Sequence, residues 1–77
     1  MPRLPRLSGA EAIRVLERLG FVQARQRGSH VVLKRITPEK VTGCLIPLHT
    51  ELALGTPELR GILKQAGITS QEFIGKL

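Results

Sequence analysis

Residues 21–36 read FVQARQRGSHVVLKRI and predict the central hairpin of the protein. Its first part, Phe21 to Arg27, alternates between two faces, which predicts a β-strand. Its last part, His30 to Ile36, is rich in β-branched residues and predicts a second strand. Gly28-Ser29 separates the two, and a two-residue loop that begins with glycine predicts a tight antiparallel hairpin. The two faces of the first strand are then expected to carry Val22 with Ala24, and Gln23 with Arg25 and Arg27.

A second turn and a third strand follow the hairpin. Thr37-Pro38-Glu39-Lys40 is typical of a turn, because proline fits its first inner position. Val41 to Ile46 predicts a third strand, and Pro47 closes it because proline cannot donate a hydrogen bond to a sheet. Leu48 to Gly55 is expected to be a connecting loop.

A helix is predicted before the strands. Ser8-Gly9-Ala10-Glu11 has the pattern of a capping box, in which Ser8 and Glu11 bond each other's backbone N–H groups. Gly20 is expected to end this helix in the left-handed conformation. The apolar stripe consists of Ala12, Ile13, Leu16 and Leu19, and the outward positions are Arg14, Glu17 and Arg18.

Two helical segments are predicted after the strands. Thr56-Pro57-Glu58 begins the first with a cap, a proline at the first helical position and an acid in the first turn. Gly67 ends it, with Ile68 placed for the apolar contact that follows such a stop. Thr69-Ser70-Gln71-Glu72 is a second capping box. The first segment's apolar stripe is Leu59, Ile62, Leu63 and Ala66, and the last segment is expected to dock through Phe73, Ile74 and Leu77.

This order of elements predicts an α+β fold of two layers, with the helices on one face of an antiparallel sheet. The 77 residues are enough for one small domain, so we expect a single domain over residues 1–77. No apolar run approaches the roughly 20 residues of a membrane-spanning helix, and we expect no membrane association. The basic start has no apolar stretch behind it, so we expect no secretory signal and a cytoplasmic location.

The charge of the chain favours a polyanionic partner. Lys and Arg number 12 against 6 Asp and Glu, a net charge of +6, and the cations concentrate between Arg14 and Arg35. Such clustering is typical of phosphate contacts, although a solvated basic surface has the same composition. With two phenylalanines and no Trp or Tyr, the chain has few side chains on which nucleobases could stack.

Motifs along nearly the whole chain resemble the HicA toxin family, also called YcfA-like. In the first half they are Leu7-Ser8-Gly9, Leu16-Glu17-Arg18-Leu19-Gly20-Phe21 and Arg25-Gln26-Arg27-Gly28-Ser29-His30. In the second half they are Ile46-Pro47-Leu48-His49, Gly55-Thr56, Ile62-Leu63-Lys64-Gln65-Ala66-Gly67-Ile68 and Glu72-Phe73. The resemblance implies a fold like the double-stranded RNA-binding domain, cleavage of messenger RNA, and a HicB-like antitoxin as partner. It also implies that His30, in Gly-Ser-His, is the active-site histidine.

His30 is also the leading candidate from its own position. It follows the hairpin turn, so it lies at the edge of a sheet, and alternation places it on one face with Val32 and Lys34. Histidine is the side chain that gains and loses a proton near neutral pH. RNA carries its own nucleophile in the 2′-hydroxyl, so a base and nearby cations suffice for cleavage. The alternative is that His30 faces solvent or bonds a turn carbonyl. The residues expected to contact RNA are Arg25, Arg27, Gly28, Ser29, Lys34 and Arg35.

The remaining candidates carry weaker signals. His49 lies in the loop after the third strand and is interpreted as a second acid–base group, a phosphate contact or a loop anchor. We expect no metal and no small-molecule cofactor, because the histidines have no spaced set of Cys or acidic partners. Cys44 is expected to be a small buried apolar residue.

Three functions are compatible with the residues alone: an endoribonuclease, a noncatalytic RNA-binding module, and a protein whose basic face binds only another protein.

Overall fold

The computed structural model of the protein describes residues 6–49 and 51–77. Its elements confirm the predicted α+β order and add two short strands that the sequence patterns did not predict. In chain order the elements are β1 (Arg6–Ser8), α1 (Gly9–Arg18), β2 (Val22–Arg27), β3 (His30–Ile36), β4 (Val41–Pro47), β5 (Glu51–Ala53), α2 (Pro57–Ala66) and α3 (Ser70–Ile74).

The main sheet has three antiparallel strands in the order β2-β3-β4. Its hairpin turn is Gly28-Ser29, as predicted, and Gly28 has a φ of +58°, which glycine adopts without steric cost. The second turn also forms as predicted, with the Thr37 N–H donating to the Lys40 carbonyl at 2.9 Å. His30 stands at the turn end of the sheet, where it pairs with Arg27 on β2 and with Pro47 on β4.

One prediction for β2 is wrong, because a bulge interrupts the alternation. The register shifts between Gln23 and Arg25, so Ala24 has no partner across the sheet. Gln23 pairs with Leu33 and Arg25 with Val32, and directly opposite residues project to the same face. Gln23 and Arg25 therefore lie on opposite faces, although simple alternation placed them together.

The loop predicted from Leu48 to Gly55 contains a strand. In a separate two-stranded sheet, β5 pairs antiparallel with β1, and the central pair is Leu7 with Leu52. Both leucine side chains are buried, so this small sheet contributes to the core. Strands of three residues carry too little alternation to be recognised before their partner is known.

The predicted helix ends are confirmed. The Glu11 N–H donates to Ser8 Oγ at 3.1 Å and the Ser8 N–H to Glu11 Oε1 at 3.0 Å. Thr69 and Glu72 form the same capping box at α3, and Thr56 caps α2. Gly20 and Gly67 both have positive φ values, of 96° and 72°, and the Ile68 N–H donates back to the Leu63 carbonyl.

The core lies between the helices and one face of the main sheet. That face contributes Val31, Leu33, Cys44 and Ile46, and α2 packs mainly against β4. Phe73 is completely buried and docks α3, as predicted, but the prediction fails for Ile74 and Leu77, which are 49% and 47% exposed. The short α3 has only one side that reaches the core, and Phe73 occupies it.

No helix within residues 6–49 and 51–77 covers the opposite face of the sheet, here called the open face. The exposed side chains on it are His30, Lys34, Ile36 and Leu45 together with Val22, Arg25, Arg27 and Val41. Within residues 6–49 and 51–77, no helix has the length and apolar character needed to cross a membrane.

Candidate active site

Several backbone contacts fix the place of His30. It is the first residue of β3, directly after the hairpin turn. The Leu48 N–H donates to the Ser29 carbonyl at 2.7 Å, which ties that turn to the end of β4. Gly9, at the start of α1, packs so closely on this segment that an added Cβ would lie 2.7 Å from the Leu48 Cα. These contacts fix the end of β4 beside His30, and β2 pairs with His30 on the other side at Arg27, while the His30 side chain stays exposed.

The sheet register brings three of the predicted RNA-contacting cations onto the face of His30. Arg27 is its direct cross-strand neighbour, Arg25 pairs with Val32, and Lys34 lies four residues along β3. All three side chains are exposed. Since cross-strand neighbours have Cβ atoms about 5 Å apart, a phosphate beside His30 is within reach of the Arg27 guanidinium.

The predicted turn residues Gly28 and Ser29 lie at the rim of this face. The side-chain amide of Gln26 donates to the Gly28 carbonyl at 2.9 Å, which braces the turn. No described atom lies within 4 Å of where a Gly28 Cβ would stand. Gly28 is therefore required by its positive φ and not by close packing.

Arg35 lies on the other side of the sheet, away from the cations with which it was grouped. It is half-buried, its guanidinium carbon lies 5.0 Å from the centre of the Phe21 ring, and Nη1 donates to the Leu19 carbonyl at 3.3 Å. Adjacent residues of a strand point to opposite faces, so Lys34 and Arg35 cannot share one. Arg35 joins the end of α1 to the sheet, and we leave it out of the proposed interface.

An open groove of about 450 Å³ begins at His30 and runs between the sheet and α2. The sheet side of this groove, here called the His30 groove, consists of His30, Leu45 and Pro47. The α2 side consists of Pro57, Glu58, Gly61, Ile62 and Gln65, which recur at the spacing of one helix face. Glu58, Gly61 and Gln65 are not among the site residues predicted from the sequence. The one signal that pointed to them is a glycine in the interior of a helix.

His49 is separated from this groove. It is exposed in the turn after β4 and lines a different depression of about 360 Å³, together with Ser8, Glu11, Glu51 and their neighbours. Arg6 and Glu51 approach each other there to 3.8 Å, an exposed ion pair that contributes little to stability. Thr50, the next residue in the chain, lies outside the described residues.

Cys44 lies on the helix-facing side of β4 and is buried, as predicted. Burial raises the pKa of its thiol to about 11, because the charged thiolate is poorly solvated there. The residue therefore packs as a protonated thiol near neutral pH.

Comparison with known proteins agrees with the resemblance seen in the motifs. Residues 9–68 match the model of a family described as HicA toxin of bacterial toxin-antitoxin. The match begins at the first residue of α1 and includes the hairpin, His30 and all of α2. No curated protein matches the chain.

Proposed function

Because the chain belongs to the HicA toxin family of bacterial toxin–antitoxin systems, we propose that it is an endoribonuclease that cleaves messenger RNA, with His30 as the acid–base residue. The observation that carries this proposal is the pairing of His30 with Arg27 at the exposed end of the sheet, beside an open groove. This place therefore combines three features: a side chain that can transfer a proton, a cation beside it, and space for a substrate.

The proposed reaction uses the nucleophile that RNA itself provides. His30 takes the proton of a 2′-hydroxyl, and the 2′ oxygen attacks the adjacent phosphorus. The bond from phosphorus to the 5′ oxygen breaks, the 5′ oxygen takes a proton from solvent, and a 2′,3′-cyclic phosphate remains on the upstream fragment. His30 then returns its proton to solvent, which restores the base. Positioned proton transfer of this kind contributes about 10²–10⁴-fold to a rate.

The cations of the open face hold the backbone and stabilise the transition state. Arg27 is close enough to His30 to offset the charge that grows on the phosphoryl oxygens. Arg25 and Lys34 lie further along the same face and bind neighbouring phosphates. The chain needs neither a metal nor a small-molecule cofactor for this reaction, since the base and the cations are its own side chains.

We also propose that a HicB-like antitoxin silences the enzyme by covering the open face around His30. Membership of a toxin–antitoxin family implies an antitoxin partner, and an acidic surface would be drawn to a chain with a net charge of +6. The proposed setting is the cytoplasm, with residues 1–77 acting as one domain. Antitoxin should displace labelled RNA from His30→Ala protein, and a stable ternary complex would contradict this arrangement.

The test of the proposed enzyme compares His30→Ala with His49→Ala. The parent is incubated with single-stranded RNA at neutral pH, with and without EDTA, and its products are examined for 2′,3′-cyclic phosphate ends. His30→Ala should stay folded and bind RNA, because the side chain is exposed, and should lose at least about a hundredfold in cleavage rate. His49→Ala should lose much less.

Three results would contradict parts of the proposal. Parental cleavage by His30→Ala would remove its assigned role, and cleavage that needs added Mg²⁺ or Zn²⁺ would remove the metal-independent mechanism. RNA binding by the parent without any cleavage would favour the noncatalytic module on the same fold.

A further inference from the structure

Gly61 stands in the interior of α2, where glycine is unfavourable. It costs about 1 kcal/mol relative to alanine in such a position, because it loses more backbone freedom on folding. Its φ is not positive, and no described atom lies within 4 Å of where its Cβ would stand. Neither backbone conformation nor packing within the described chain therefore requires a glycine here.

The position of Gly61 gives it another role. Gly61 lines the His30 groove at the middle of its α2 side, between Glu58 and Gln65. Without a side chain at this point, a flat group can lie directly against the helix backbone. The opposite side offers apolar contact, since Leu45 is 44% exposed and Pro47 lies beside it.

The charges around the groove indicate which part of RNA it suits. Glu58 is exposed and makes no ion pair with any residue in the ranges 6–49 and 51–77. A carboxylate repels phosphate and accepts hydrogen bonds from N–H groups, which nucleobases carry on their edges. The cations Arg25, Arg27 and Lys34 lie on β2 and β3, so phosphate and base are drawn to different sides of His30.

Resting on the proposed function, we propose that the His30 groove holds one unstacked nucleobase of the RNA, and that Glu58 selects bases with an exocyclic amino group. The base lies against α2 at Gly61 and on the apolar side formed by Leu45 and Pro47. Glu58 accepts the amino N–H, as acidic side chains do from N4 of cytosine. Gln65, about 10.5 Å further along the helix axis, closes the far end.

Cytosine and uracil give the sharpest comparison, because they differ at position 4 by an amino group against a carbonyl oxygen. Hexacytidine and hexauridine are prepared with 2′-fluoro sugars, which removes the nucleophile and keeps His30 intact in the protein. Their affinities are measured by fluorescence anisotropy. Hexacytidine should bind more tightly, by on the order of tenfold.

Two substitutions that remove the same charge test whether Glu58 is the group that selects the base. Glu58→Gln can donate as well as accept, so the cytidine-to-uridine ratio should fall toward one. Glu39→Gln, in the exposed turn between β3 and β4, removes the same charge outside the groove and should keep the parental ratio.

Gly61→Ala provides a second, independent test. Alanine should raise the Tm, because it favours the helix and meets no described neighbour. The same methyl group should weaken the binding of both oligonucleotides several-fold by filling the space for the base. Gln71→Ala, exposed on α3 and outside the groove, should change neither affinity.

The outcomes separate this inference from the function on which it rests. Equal affinities for the two oligonucleotides, a ratio unchanged by Glu58→Gln, or undiminished binding by Gly61→Ala would overturn base selection in the groove. Cleavage that depends on His30 would still stand in each case. If neither oligonucleotide binds and the parent cleaves no RNA, both proposals fall.

Discussion

One face of the main sheet is covered by helices and the other is open to solvent, although both are formed by alternating residues of the same strands. On β3 the covered face carries Val31, Leu33 and Arg35, and the open face carries His30, Val32 and Lys34. Residues that are adjacent in the sequence therefore have different roles. The covered face holds the fold together, and the open face presents the groups to which we assign the chemistry.

The cations show this difference most clearly. Arg27 and Arg35 have the same side chain on paired strands, yet Arg27 is exposed beside His30 while Arg35 packs over Phe21 and bonds the Leu19 carbonyl. A guanidinium over an aromatic ring contributes about 0.5–2 kcal/mol, depending on how far it is desolvated. The charge of an arginine is the same on either face of the sheet. Whether an arginine in a basic stretch is available to bind RNA therefore has to be decided from the face on which it lies.

The largest expected effect contrasts a leucine on each face. Leu33 is fully buried, so Leu33→Ala should destabilise the protein by about 2–5 kcal/mol, through lost burial and the cavity left behind. Leu45 is 44% exposed on the open face, and Leu45→Ala should cost less than about 1 kcal/mol. Urea unfolding of both variants measures the difference. Equal losses would show that the two faces do not differ in packing as described.

The next effect concerns RNA affinity. Replacing Arg25, Arg27 and Lys34 together by alanine should lower the slope of log affinity against log salt by about two, if each cation binds one phosphate of single-stranded RNA. Arg35→Ala should leave that slope nearly unchanged and should lower the Tm. Binding of non-cleavable RNA at several salt concentrations, with thermal melts of both proteins, tests the pair. If Arg35→Ala also lowered the slope of log affinity against log salt, as phosphate-binding residues do, Arg35 would belong to the RNA interface.

The smallest effect belongs to the capping boxes, which lie on neither face. Backbone and side-chain hydrogen bonds from Ser8 lower the pKa of Glu11, and those from Thr69 lower the pKa of Glu72. A carboxyl whose pKa is lower in the folded state stabilises the fold above its ordinary value of 4.5. That stabilisation is lost as the pH falls through the lowered folded-state value.

The Tm of the parent should therefore decline more steeply below pH 4.5 than the Tm of the double variant Glu11→Gln, Glu72→Gln. Thermal melts between neutral pH and strong acid measure the two slopes. Glu39→Gln serves as the control, since that residue lies in a turn and forms no capping box. Identical slopes for parent and double variant would show that the caps do not titrate with folding.

Most of the fold was predictable because its signals are local. The capping boxes at Ser8 and Thr69, the Gly28-Ser29 hairpin and the stop at Gly67 each depend on residues within one turn of the chain. The prediction failed where an element is defined by its pairing and not by its own residues. The strand β5 forms against β1, more than 40 residues earlier, and the bulge at Ala24 is defined only by the register between β2 and β3.

The candidate site was predictable only in part, for the same reason. A histidine after a Gly-Ser turn, in a basic stretch, identified His30, Arg25, Arg27 and Lys34. Glu58 and Gln65 could not be connected with them, because they lie about 30 residues away and meet His30 only where α2 packs along β4.

The amino-acid sequence alone was enough to predict the order of the three helices and of the three strands in the main sheet, most of their ends, and an excess of positive charge around one histidine. These properties follow from hydrogen bonds, rotamers and turn conformations that each involve a few neighbouring residues. Three properties needed the packed fold: which face of the sheet the helices cover, why Gly9 must be small, and that the interior glycine of α2 lines the same groove as His30. Those properties depend on strand register and on how the helices pack, and neither is set until distant parts of the chain bury their apolar faces together.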